Sequence, residues 1–208
     1  YDQRLNLSDL LQDAINRNPE MKPIKKDSRI SLKDTQIGNL TNRITFISKA
    51  IQRLTKLQII YFANSPFTYD NIAVDWEDAN SDYAKQYENE ELSWSNLKDL
   101  TDVELYNCPN MTQLPDFLYD LPELQSLNIA CNRGISAAQL KADWTRLADD
   151  EDTGPKIQIF YMGYNNLEEF PASASLQKMV KLGLLDCVHN KVRHLEAFGT
   201  NVKLTDLK

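Results

Sequence analysis

Apolar and polar positions recur along this chain in one order, L-x-x-L-x-x-L-x-L-x-x-N. One copy reads Leu121, Leu124, Leu127, Ile129 and Asn132, and the copy before it reads Leu97, Leu100, Val103, Leu105 and Cys108. A later copy reads Met179, Leu182, Leu185, Cys187 and Asn190. Another reads Ile157, Phe160, Met162 and Asn165, with Gly154 in place of its first leucine. Upstream lie Leu54, Leu57, Ile60, Phe62 and Ser65, preceded by a degenerate copy at Ile30, Leu32 and Thr35. A seventh copy is cut short at Leu204 and Leu207. The twelfth position therefore falls at 35, 65, 108, 132, 165 and 190. The steps from 108 to 132 and from 165 to 190 are 24 and 25 residues, and the longer steps call for insertions.

The pattern has a direct physical reading. Apolar seventh and ninth positions around a variable eighth fit a short strand with one buried face. Apolar first and fourth positions fill the interior from the opposite side. No copy can bury its face alone, so its neighbours supply the core. Each fully buried Leu or Ile then contributes about 1.5–3 kcal/mol. The Asn, Cys, Ser or Thr at the twelfth position sits where the chain leaves the strand, and its side chain can satisfy backbone groups that the turn leaves unpaired. An apolar pair three residues apart follows: Met111 with Leu114, Leu167 with Phe170, Val192 with Leu195.

These copies resemble the leucine-rich-repeat family over residues 28–208. The irregular spacing and aromatic-rich insertions are similar to those of surface and secreted leucine-rich-repeat proteins of Bacteroidetes. The resemblance implies an α/β solenoid: a right-handed horseshoe with a parallel concave sheet, an irregular or helical convex side, and two insertions. It also implies protein or peptide recognition through the concave face, and a cell-envelope or secreted location.

The insertions fall near residues 68–94 and 136–156. The first combines Trp76, Tyr83, Tyr87 and Trp94 with many acidic residues. In the second, Ser136 is placed to cap a helix from Ala137 to about Leu147, with Leu140, Trp144 and Leu147 on one face. These aromatics either pack the insertions onto the solenoid or build a wall beside its binding face, and the first reading is favoured. At the start, Leu7, Leu10, Leu11 and Ile15 form an amphipathic helical set, so residues 1–27 are expected to cap the first copy. At the other end the pattern stops in mid-copy, which suggests either a piece of a longer protein or an end-to-end or edge-paired dimer.

Composition narrows the function classes. A formal net charge of -7 disfavours phosphate backbones and anionic membranes. No apolar run approaches the roughly 20 residues that span a bilayer, and neither a signal segment nor an anchor is read in this sequence. Cysteines at 108, 131 and 187 make neither a disulfide framework nor a Cys-x-x-Cys site. Asp149-Asp150-Glu151-Asp152 lacks the spacing of a calcium loop. No glycine-rich phosphate loop, zinc-protease motif or nucleophile elbow occurs. Cys187 and His189 are close in sequence, but the ninth position directs Cys187 to the core, where a thiol without a cationic neighbour is inert. Neither catalysis nor a cofactor nor a metal is expected.

What remains is a surface. The eighth position points away from the core and reads Ser31, Tyr61, Glu104, Asn128, Tyr161, Asp186 and Lys208. The tenth and eleventh add Tyr106, Asn64 and Tyr164, with small residues at Ala63, Ala130 and Gly163 leaving hollows between the rings. Tyr61, Asn64, Glu104, Tyr106, Asn128, Tyr161, Tyr164 and Asp186 are the expected binding residues, because tyrosine offers large apolar area with a hydroxyl. Their ligand is expected to be a neutral or basic protein or peptide. A glycan that stacks on the tyrosines is an alternative ligand, and a structural spacer is an alternative role.

Overall fold

The computed structural model describes residues 29–32, 47–66, 72–74, 93–151, 153, 156–194 and 204–208. The expected helix at residues 7–15 and the aromatics Trp76, Tyr83 and Tyr87 lie outside them. Seven short strands form one parallel sheet: β1 (Arg29–Leu32), β3 (Ile59–Ala63), β5 (Asp102–Tyr106), β6 (Ser126–Asn128), β7 (Ile159–Tyr161), β8 (Leu184–Asp186) and β9 (Asp206–Leu207), in that order. A separate parallel pair, which the repeat pattern did not foretell, joins β2 (Ile47–Ser48) to β4 (Ile72–Val74).

The strand register reproduces the repeat alignment. Ile30, Ile60, Val103, Leu127, Phe160, Leu185 and Leu207 are successive partners across the sheet. Ile60, Val103, Leu127, Phe160 and Leu185 are fully buried, as are Phe62, Leu105, Ile129 and Met162 at the ninth position. Leu207, on the edge strand β9, is exposed, and Cys187 is only partly buried. The expectation that Cys187 faces the core therefore holds only in part, since its cover is the two-residue strand β9, whose Lys208 carbonyl accepts from the Cys187 thiol at 3.1 Å.

Two backbone motifs repeat beneath these side chains. The carbonyl at the fifth position accepts two N–H groups from the next copy: Gln58 from Thr101 and Asp102, Thr101 from Gln125 and Ser126, Gln125 from Gln158 and Ile159. At the eleventh position the chain turns left-handed, with φ between 52° and 65° at Asn64, Asn107, Cys131, Tyr164 and His189. Asparagine and histidine enter this region more readily than most residues, whereas Cys and Tyr do so at a cost. The turn delivers the twelfth side chain inward. Asn132 donates to the Leu105 and Ile129 carbonyls and accepts from Cys108 N at 2.7 Å. Asn165 donates to the Ile129 and Met162 carbonyls and accepts from Asn132 N at 2.6 Å. The result is a continuous polar ladder inside an apolar core, continued upstream by Cys108, whose thiol burial pushes up to about 12. Such a thiol is a weak hydrogen-bond donor and not a nucleophile.

The opposite side is built from short 3₁₀ turns at Lys49–Arg53, Trp94–Asn96 and Asp116–Asp120, and from two α-helices, α1 (Ala137–Asp149) and α2 (Ser173–Leu176). Ser136 caps α1 by accepting from Gln139 N. Trp144 is fully buried, edge-on to Phe160 at 5.6 Å and to Phe170 at 5.2 Å, with its indole N–H toward Met179 Sδ at 3.4 Å. The second insertion therefore packs into the core rather than standing as a wall beside the sheet face. Trp94 behaves likewise, stacked on Phe117 at 4.3 Å. The helix also buries a charge, Asp143, whose carboxylate accepts from Leu114 N and Gln139 Nε2.

Candidate functional site

Strand alternation puts the sixth, eighth and tenth positions on the face away from the core. From β3 to β8 they read Ile59, Tyr61 and Ala63; Asp102, Glu104 and Tyr106; Ser126, Asn128 and Ala130; Ile159, Tyr161 and Gly163; Leu184, Asp186 and Val188. Tyr61, Glu104, Asn128, Tyr161 and Asp186 are direct register partners, so five of the eight expected residues form a single row across five strands. Tyr106 stands one step nearer the strand exits and is 37% exposed. Asn64 and Tyr164 sit at the left-handed turns, on the rim, where Tyr164 is 42% exposed.

The rim residues touch one another from copy to copy. Asn107 Nδ2 donates to Asn64 Oδ1 at 2.5 Å. Tyr106 meets the Cys131 thiol, which holds the Tyr106 hydroxyl above the usual phenol range, with burial and the nearby Tyr61 and Tyr164 adding to the effect. The Tyr164 ring stacks on His189 at 4.2 Å. The two outward tyrosines are thus held in place by neighbours, which lowers the entropy lost when they are covered. Tyr61 is fixed in the same way: it is partly buried and hydrogen-bonded to Glu104, and both effects raise its hydroxyl above the usual range. Beside Tyr106 a cleft of about 420 Å³ is lined by Asn107, Pro109, Cys131, Arg133 and Gly134. Gly134 is required there, because a Cβ would lie 2.6 Å from the Pro109 carbonyl oxygen and 2.7 Å from that of Met111.

Some of the expected residues also serve the scaffold. Asn128 Oδ1 accepts from Ala130 N, and Asp186 Oδ1 accepts from Val188 N. Cys187 and His189 share no hydrogen bond: the thiol donates to Lys208 O, and burial together with the Asp186 charge holds it protonated. The sequence reading missed the sixth position, where Ile59, Ile159 and Leu184 add partly exposed apolar area and Asp102 adds a carboxylate. The alternation that picked out the eighth position would have found them. Cys131 was missed because nothing in its residue type marks a rim position.

No protein-family model and no curated protein matches the chain. Among solved structures, a leucine-rich repeat protein from Bacteroides eggerthii aligns with a TM-score of 0.74 and 61% identity, over 94% of this chain and 32% of that one. The chain is a leucine-rich-repeat solenoid. A leucine-rich-repeat protein from Leptospira interrogans aligns over 80% of the solenoid and 34% of its own length, at TM-score 0.55 and 16% identity, and shares the fold alone. The solenoid spans about a third of the length of each of these structures.

Charge is unevenly spread along the solenoid. Residues 67–177 carry 21 Asp and Glu against 6 Lys and Arg, whereas residues 178–208 carry 3 acidic against 6 basic. The outward face of β3 to β8, at its sixth, eighth and tenth positions, has three carboxylates and no Lys or Arg. A cationic, partly apolar ligand is complementary to such a face, and an anionic one is repelled.

Proposed function

We propose that the solenoid is a non-catalytic protein- or peptide-binding module that works through its concave sheet face at the cell envelope or outside the cell. One observation carries this reading: Tyr61, Glu104, Asn128, Tyr161 and Asp186 align in one register row, flanked by the exposed Tyr106 and Tyr164. Aromatic anchors that neighbouring side chains already hold are the groups that contribute most at recognition surfaces. The extracellular placement is supported by the resemblance read from the sequence.

The test is retention of a ligand from cell-surface extract and culture medium by the immobilised chain and by its Y61S/Y106S/Y161S variant, both shown to be folded. A protein or peptide held by the wild type and lost by the variant is expected, and it should bind again after purification. Retention of a glycan instead would change the ligand class but keep the site. Equal retention by both chains would move the function away from this face, toward a spacer role.

A further inference from the structure

The eighth-position row contains two carboxylates, Glu104 on β5 and Asp186 on β8, separated by Asn128 and Tyr161. Three strand spacings of roughly 4.8 Å put them about 14 Å apart along the solenoid axis. An extended chain rises roughly 3.3 Å per residue, so four residues span about 13 Å, and an even separation keeps both side chains on one face. Separations of two and six residues span about 7 and 20 Å, and odd separations turn one side chain away.

The surroundings of the row fit the same occupant. Tyr61 hydrogen-bonds Glu104 and Val188 N donates to Asp186, so each carboxylate is held in place. Lys208, the next eighth-position residue, pairs with Asp206 at 3.4 Å, and Asp186 has no ion pair among the described residues. At the neighbouring tenth position Gly163 lets Asp186 and Val188 pack closely against the strand, since a Cβ there would lie 3.3 Å from Asp186 Oδ1 and 3.1 Å from Val188 Cγ2. Between the carboxylates Tyr161, with Ile159 beside it at the sixth position, offers partly exposed apolar area.

We propose that this row reads an extended peptide segment bearing two cationic side chains four residues apart, one on Glu104 and one on Asp186, with an apolar side chain midway, between Asn128 and Tyr161. The inference rests on the concave-face reading and adds the chemistry and spacing of the ligand.

Capped eleven-residue peptides of identical composition provide the test, each with two arginines and one leucine among serines and glycines. In one the arginines stand four positions apart with the leucine midway. In the others they stand two, three or six apart. Fluorescence anisotropy near physiological salt should show the four-apart peptide binding about tenfold tighter than the rest, a difference of roughly 1.4 kcal/mol. E104Q and D186N should each reduce it to the level of the others, while E151Q and E168Q, on exposed acids away from the sheet, should not. Equal binding of all spacings, indifference to E104Q and D186N, or no binding at all would overturn the proposal. If the tyrosine-dependent retention described above still holds in that case, the concave face stands and only the paired-cation ligand is rejected.

Discussion

At the scale of single residues, the twelfth position shows how much depends on one amide. Asn165 is 4% exposed, and its side chain makes three bonds to backbone groups of two copies. Truncation does not orphan those groups equally. The Ile129 carbonyl keeps its bond from Asn132, and the Met162 carbonyl keeps one from Asn190, but Asn132 N loses the acceptor supplied by Asn165. Asn165→Ala should therefore cost about 1–3 kcal/mol, the penalty of one buried unsatisfied donor. Asn190→Ala removes the acceptor for Leu167 N at a partly buried site, where water can substitute, and should cost less. Urea titrations of both variants check the order, and an equal cost would mean that the ladder does not depend on burial.

At the scale of elements, α1 carries a test of charge burial. Asp143 lies on its inner face, and burial raises its carboxyl above the usual range, opposed by the bonds from Leu114 N and Gln139 and by Arg146. A raised folded value means that the ionised form costs stability above it and that protonation relieves the cost as pH falls toward the unfolded value, roughly 3.9. The stability of the wild type relative to D143N should therefore rise as pH falls from 7 toward 4. Urea midpoints at both ends of that range measure it, and a falling difference would reverse the sign. The helix itself, its Ser136 cap and its Leu140–Trp144–Leu147 face were legible in the sequence because each follows from local periodicity and capping chemistry. Every seventh-position partner across the main sheet was legible too, since a slip of one residue would send the leucines to solvent. Asp143 was not legible: its partner Leu114 N lies 29 residues away, and only tertiary packing brings them together. The left-handed turns were hidden for another reason. Asn64 and Asn107 hint at them, but Cys131 and Tyr164 are residue types that rarely adopt that backbone.

At the scale of the whole molecule, charge and stacking pull in different directions. Repeats held only by their neighbours gain stability as each buried row is completed, while a formal net charge of -7 makes the compact chain repel itself. Exposed ion pairs such as Arg146–Asp116 and Lys141–Glu169 offset little of this, since such pairs contribute roughly 0–1 kcal/mol each. Screening should then favour the folded chain, and the thermal midpoint should rise between 20 and 200 mM sodium chloride. A lower midpoint at the higher salt would show that the ion pairs outweigh the repulsion. The left-handed residue that closes each strand has a different kind of consequence. Its backbone N–H donates to the tenth-position carbonyl of the next copy at Asn64, Asn107, Cys131 and Tyr164 alike, whatever side chain is present. The main chain is satisfied without reference to the residue's identity, so mutation at this one slot per copy can exchange what the rim displays while the path of the chain is inherited unchanged.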